Sequence, residues 1–167
     1  MRVLSFALIS LPFTAAFSPS FFPQKNAVTV NPLCPPAIKA GVASINADIQ
    51  DQMNEQSALA KVKQLEQAHP PNEARIQEAI SELLDDVNKG LRQVITSSRT
   101  LPKNNPAQSG LASKLTQGKM TEKMLVESLK GNFKEDSSTI STLATDFSNG
   151  IKKNMQNGID VSAKTMS

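Results

Sequence analysis

Apolar side chains recur at intervals of three and four residues along most of the chain, and this period limits the fold more than any other feature. It is clearest in one segment, where the intervals are 4, 3, 4, 4 and 3: Ile76, Ile80, Leu83, Val87, Leu91 and Val94. Because an α-helix has about 3.6 residues per turn, these side chains share one face. The pattern predicts a long amphipathic helix that buries this face, with Asn72 as its N-cap and Glu73 in its first turn.

Three further segments carry the same period. The first predicted helix covers residues 37–68, between Pro35–Pro36 and Pro70–Pro71, with the apolar face Ile38, Val42, Ile45, Ile49, Met53, Leu59, Val62 and Leu65. The last third carries two more apolar faces, the first made of Leu111, Leu115, Met120, Met124, Leu125 and Leu129, the second of Ile140, Leu143, Phe147, Ile151, Met155 and Ile159. We place a turn near residues 131–136; the alternative is one long helix over residues 121–164 with a short helix before it.

Aromatic residues are scarce beyond the N-terminus. The chain has no Trp or Tyr, and five of its seven Phe residues lie in the first 22 positions: Phe6, Phe13, Phe17, Phe21 and Phe22. The remainder builds its core from aliphatic residues and Met, which favours helices over a sheet. We predict an all-α fold for residues 37–167, an antiparallel bundle of about four helices of roughly 25–33 residues each.

The N-terminus has the pattern of a secretory signal peptide. Arg2 supplies a positive charge, residues 3–16 are mostly apolar, and Thr14-Ala15-Ala16 offers small residues for cleavage. We predict a signal peptide over residues 1–16 and a protein that is secreted to the extracellular space or the cell wall. No later apolar stretch reaches the roughly 20 residues of a membrane-spanning helix, so we expect no transmembrane segment.

A second address competes with secretion. The segment Ala15-Ala16-Phe17-Ser18-Pro19 resembles the cleavage motif of bipartite plastid presequences in algae with red-lineage plastids, and the first acidic residue of the chain is Asp48. Under this alternative the protein is a helical structural or accessory protein of the plastid.

Residues 17–36 contain five of the ten prolines and are predicted to be a disordered tail or a propeptide.

The residues needed for catalysis or metal binding are few. The chain has one Cys and one His, and Cys34 and His69 lie at opposite ends of the first predicted helix, about 50 Å apart. Glu78, Glu82 and Asp86 share the polar face of the second helix, which favours a solvated surface. We therefore expect no catalytic residues, no metal site, no cofactor and no enzyme activity.

Nucleic-acid binding is also disfavoured, because Lys and Arg are spread along the chain and no aromatic residues lie among them for base stacking. The net charge is +3.

Cys34 is an odd cysteine in a Pro-rich segment that we expect to be exposed and mobile. It can form a disulfide-linked homodimer, be removed with a propeptide, or remain a thiol without a role.

The sequence resembles small secreted fungal proteins of the hydrophobic-surface-binding and cell-wall mannoprotein type. The resemblance lies in Met124-Leu125-Val126-Glu127-Ser128-Leu129-Lys130, in Asp136-Ser137-Ser138-Thr139 followed by Leu143-Ala144-Thr145-Asp146-Phe147, and in Ile45-Asn46-Ala47-Asp48-Ile49. It implies a non-enzymatic secreted protein that binds apolar surfaces, the cell wall or fatty-acyl ligands.

A bundle with an aliphatic, Met-containing core can repack around an acyl chain, because Met is flexible and polarizable. The candidate residues lining such a site are Met120, Met124, Phe133, Phe147 and Met155. The same five residues are also accounted for as ordinary core.

Overall fold

A computed structural model describes residues 27–100, 113 and 115–163. These residues form four helices and contain no strand: α1 (Pro36–Glu66), α2 (Glu73–Thr100), α3 (Thr116–Glu127) and α4 (Phe133–Ala163). Helix α1 packs against α2 and α4, and α3 packs against the same two helices. The predicted all-α bundle is therefore confirmed. The predicted signal peptide and residues 17–26 of the predicted tail lie outside the described residues.

The ends of α1 and α2 follow from local chemistry. Pro36 occupies the first turn of α1, where its missing N–H leaves no hydrogen bond unmade. The Arg75 backbone N–H donates to Asn72 Oδ1 at 3.1 Å, as expected of an N-cap, and Glu73 lies in the first turn of α2. None of the described helices is both long enough and apolar enough to cross a membrane.

A turn over residues 128–132 separates α3 from α4, so the alternative of one continuous helix over residues 121–164 is wrong. Asp136 Oδ2 accepts the backbone N–H groups of Lys130, Gly131 and Asn132 at 2.9, 2.8 and 3.2 Å. Gly131 has a φ of +82°, a conformation that side chains other than glycine rarely adopt. The described part of α3 has 12 residues, fewer than the predicted helix length.

The core consists of two apolar clusters. The first apolar cluster contains Leu59, Val62, Ile76, Ala79, Ile80, Leu83, Val87, Val126, Leu129, Ile140, Leu143 and Phe147. The second apolar cluster contains Val42, Ile45, Ile49, Val94, Leu115, Ile151 and Val161. On α1 the change from one cluster to the other falls between Ile49 and Leu59, where the buried residues are Asp51, Gln52 and Glu55.

Val28, Val30 and Cys34 pack against the bundle, so the predicted exposure of Cys34 is wrong. The Val28 N–H donates to Asn46 Oδ1 at 2.8 Å, and Asn46 Nδ2 donates to the Val28 carbonyl at 2.9 Å. Val28 also lies against Gly158 of α4, where an added Cβ would come within 2.6 Å of Val28 Cγ2. Cys34 is buried, with 6% of its surface exposed. A disulfide between two chains therefore requires residues 27–34 to leave the bundle.

Replacement of either Leu83 or Leu143 by Ala is expected to lower the free energy of unfolding by about 2–5 kcal/mol, because each leaves a cavity in the first apolar cluster. Both side chains are fully buried, at 0% exposure. Denaturant titration followed by circular dichroism measures the change. The matched control is Leu33→Ala, since Leu33 is 90% exposed and its loss is expected to cost less than about 0.5 kcal/mol. If all three variants unfolded at the same denaturant concentration, the assignment of Leu83 and Leu143 to the core would be wrong.

Candidate functional site

The structure does not bring the five predicted lining residues together. Met120 and Met124 are 56% and 70% exposed on the outer face of α3, whereas Phe147 is fully buried in the first apolar cluster. Phe133 packs at the edge of that cluster, and Met155 packs against the second one. Phe133 and Met155 are 22 residues apart on one helix, or roughly 33 Å along its axis.

The face of α3 that the sequence assigned to the core is only partly the buried one. The buried residues of this segment are Leu115, Lys119, Glu122, Val126 and Leu129, at intervals of four and three. This spacing is helical, but two of its five members are charged, and the apolar pattern therefore directed attention to Met120 and Met124. The interpretation of these two methionines as residues lining the bundle interior is wrong.

An open groove runs between α1 and α4. Buried Leu59 and Ile140 lie at its base, and Phe133 lies at one end. The remaining lining residues are mostly small: Ala60, Ser137, Ser141 and Ala144, with Gln56 and Lys63. Its volume of about 390 Å³ falls within the roughly 300–1,000 Å³ typical of small-molecule sites. Of the five predicted residues, Phe133 lines this groove.

A cluster of buried charges lies where α1, α2, α3 and α4 meet. The ammonium group of Lys119 forms an ion pair with Glu55 and a second, at 2.9 Å, with Glu122. The side chains of Lys119 and Glu55 are 3% and 0% exposed, and Lys119 Nζ also lies 5.4 Å from the centre of the Phe147 ring. We call Glu55, Lys119 and Glu122 the buried ion cluster.

Further buried polar groups lie next to the buried ion cluster along α1. Together with the cluster, Asp48, Gln52, Ser97 and Asn154 form what we call the polar layer. The Ser97 hydroxyl donates to Asp48 Oδ1 at 3.2 Å, and Asn154 Nδ2 donates to Gln52 Oε1 at 3.1 Å. Among the described residues, Asp48 Oδ2 and Glu55 Oε1 are buried with no hydrogen-bond partner. Burying a carboxylate oxygen without a partner is unfavourable, so this layer carries an uncompensated electrostatic cost.

Two glycines make the layer sterically possible. A Cβ at Gly90 on α2 would lie 2.5 Å from Glu55 Oε1, and a Cβ at Gly150 on α4 would overlap the amide of Gln52. The absence of a side chain at these two positions lets long polar side chains of α1 extend between the helices. The glycines therefore belong to the polar layer, although both lie inside helices, where glycine lowers stability relative to alanine.

Burial shifts the acids of this layer toward their neutral forms. Loss of hydration raises the pKa of Glu55 to about 8, against the opposing effect of Lys119. The same cause raises the pKa of Asp48 to about 7, and it raises the pKa of Glu122. At a pH between its ordinary pKa and its raised pKa, a buried carboxyl group keeps its proton, whereas an exposed carboxyl group has lost it.

A second, larger cleft lies at one end of the bundle between the α1–α2 and α3–α4 turns. It has a volume of about 930 Å³ and is lined by both apolar and charged residues, including Glu66, His69, Lys130 and Lys134. Burial, together with the neighbouring carboxylate of Asp136, raises the pKa of Glu66 to about 7. Asp136 accepts three backbone N–H groups of the α3–α4 turn, so its role there is structural.

The buried ion cluster was missed by sequence reasoning, which read α1 from its apolar residues alone. Gln52 and Glu55 nevertheless continue the buried positions of α1 at intervals of three and four, from Ile49 to Leu59. A charged residue in phase with an apolar face was the available signal, and Lys119 on α3 shows the same feature. Position in the helical period, without regard to residue type, would have identified both.

Cys34 and His69, the one cysteine and the one histidine of the chain, lie far apart in the structure. Cys34 precedes α1 and His69 follows it, so the length of a 31-residue helix separates them. Residues 27–100, 113 and 115–163 contain no group of three His, Cys, Asp or Glu side chains placed to hold a metal ion. The comparisons with protein-family models, curated proteins and solved structures found no match to the chain.

Replacement of Lys119 by Ala at about pH 7 is expected to lower the free energy of unfolding by about 3–5 kcal/mol, because it removes the buried cation that pairs with Glu55 and Glu122. The control is Lys123→Ala on the same helix, whose ion pair with Glu127 at 3.7 Å is largely exposed. Such pairs contribute less than about 1 kcal/mol. Denaturant midpoints that fall equally for both variants would show that the buried ion cluster does not hold the fold together.

Proposed function

We propose that this chain is a non-enzymatic secreted protein that binds fatty-acyl ligands and apolar surfaces, with the groove between α1 and α4 as the acyl site. The observation that carries the proposal is the shape and lining of this groove. Its residues span Phe133 to Ala144 on α4, a distance of about 17 Å along the helix. An open groove of this length, with Leu59, Ile140 and Phe133 among its lining residues, suits an extended hydrocarbon chain.

The chemistry of the groove supports a chain with an acidic head group. Leu59, Ile140 and Phe133 offer apolar contacts, and each methylene that leaves water contributes up to about 0.8 kcal/mol. Lys63 lies at the rim and is exposed, where its ammonium group can approach a carboxylate. Because exposed ion pairs contribute less than about 1 kcal/mol, most of the affinity comes from the hydrocarbon.

The exposed face of α3 supports contact with apolar surfaces. Met120 and Met124 are one helical turn apart and mostly exposed. Flexible, polarizable Met side chains adapt to surfaces of irregular shape. This pair lies on a different helix from the groove, so surface adsorption and acyl binding can be separated by substitution.

The central test is titration of the full chain with a long-chain fatty acid at low and high salt. We expect micromolar binding with little salt dependence. Ala144→Phe fills the groove and is expected to weaken binding by about tenfold or more, the equivalent of losing two methylene contacts. The control is Ser138→Phe, at an exposed position of α4 outside the groove.

Adsorption to hydrophobic beads is the second arm of this test. Met120→Gln together with Met124→Gln is expected to reduce adsorption while leaving fatty-acid binding intact. If the unmodified protein neither binds the acid nor adsorbs at micromolar concentration, the proposal fails. If Ala144→Phe and Ser138→Phe bind the acid equally well, the groove is not the site.

Secretion is the address we propose, and the packing of residues 27–34 supports it. Cleavage near residues 40–48, as expected under the plastid alternative, would remove Val28 and its hydrogen bonds to Asn46, and a start beyond residue 42 would also remove Val42 of the second apolar cluster. Cleavage after Ala16 leaves all of these contacts in place. We therefore expect N-terminal sequencing of the mature protein to begin at Phe17. A start at residues 40–48 in a plastid fraction would favour the alternative.

A homodimer linked through Cys34 remains a prediction. The burial of Cys34 means that two such thiols meet only when residues 27–34 move away from α1 and α4. Non-reducing gels of the secreted protein, with Cys34→Ser as the control, decide between a dimer and a monomer.

A further inference from the structure

The buried ion cluster holds two acids and one base, so its net charge depends on one proton. With both glutamates ionised, Lys119 balances only one of them, and the cluster carries an excess negative charge away from water. With one glutamate neutral, the cluster is balanced. We propose that this cluster is a pH-dependent contact that holds α3 against the bundle at acidic and neutral pH and releases it as the pH rises.

Helix α3 depends on this contact more than the other helices do. Its described residues bury only Lys119, Glu122 and Val126, and two of these three belong to the cluster. The other three helices bury eight or more residues each, most of them apolar in α2 and α4. Leu115 and Leu129, which flank the helix, are also buried, so the charged pair makes up two of the five buried residues of this segment. Changing the charge state of the cluster therefore acts on a large part of what attaches α3.

The surroundings of the cluster add further acids. From α1, Asp48 and Asp51 face it, and Asp51 forms an ion pair at 2.7 Å with Lys89 of α2, whose side chain is 59% exposed. From α4, Asp146 and Lys153 act on Glu122 with opposite signs.

Asp86 of α2 lies next to the Asp51–Lys89 pair and adds to the negative charge there. In the part of the chain that the structure describes, Lys119 is the one buried cation. Among the described residues, no second buried base therefore balances the second glutamate.

The direction of the pH effect follows from proton binding. Burial raises the pKa of Glu55 from 4.5 to about 8 and that of Asp48 from 3.8 to about 7. In an undocked or unfolded chain these carboxyl groups are hydrated and lose their protons at the lower values. The docked state therefore binds more protons between those limits, and its stability falls as the pH rises, until it levels off above about pH 8.

This inference does not rest on acyl binding. The groove lies between α1 and α4, whereas the released helix packs against α2 and α4. Release of α3 removes Val126 from the first apolar cluster and the Lys119 ammonium from the face of the Phe147 ring.

Hydrogen–deuterium exchange of the full chain tests the proposal, at about pH 5.5 and about pH 8.5 with exchange times corrected for the intrinsic amide rate. We expect amide protection in α3 to fall by about tenfold or more at the higher pH, since one unit of linked pKa shift corresponds to a factor of ten. Amides of α1 and α2 should keep their protection. An unchanged α3, or an equal loss of protection in all four helices, would overturn the proposal.

Glu55→Gln removes one titrating acid, keeps the side-chain shape and leaves Lys119 paired with Glu122 alone. We expect the pH dependence of its α3 protection to be much smaller than that of the unmodified chain, with the remainder due to Asp48 and Glu122. The control is Glu127→Gln on the exposed face of α3, which should retain the full pH dependence of the unmodified chain. If Glu55→Gln is not helical by circular dichroism, Glu122→Gln makes the same test. Full pH dependence in a folded variant of either glutamate would contradict the proposal.

Discussion

The removal of charge from water at the centre of the bundle is the constraint on which much of this structure depends. A carboxylate or ammonium group loses several kcal/mol of hydration on burial, and only close, well-oriented partners compensate for that loss. The buried ion cluster draws its members from α1 and α3, and the Phe147 ring of α4 covers its cation. The positions of these helices are therefore coupled through one small group of atoms.

The polar layer explains features that otherwise look unrelated. It divides the core into two apolar clusters, and it accounts for glycines at two packed positions inside helices, Gly90 and Gly150. It also leaves α3 with a shorter apolar contact than its neighbours. Replacing such a layer with apolar residues is often stabilising in other proteins, so its presence is better explained by specificity or regulation than by stability.

The groove of small and apolar side chains between α1 and α4 and the exposed Met pair on α3 are two separate surfaces that favour apolar partners. Both are consistent with the resemblance to secreted fungal surface-binding proteins, which remains a hypothesis. The buried ion cluster adds a means of responding to pH that does not require either surface.

The sequence by itself determined the helical class, the N-cap at Asn72 and the turn before α4, because helical period, capping and glycine conformation are local properties. Tertiary structure decided which face of α3 is buried, placing Lys119 and Glu122 inside and Met120 and Met124 outside. It also decided that Cys34 is buried, because the segment before α1 packs against α1 and α4. The physical reason is that burial of a charge depends on a partner from a distant helix, here Glu55, which no local pattern reveals.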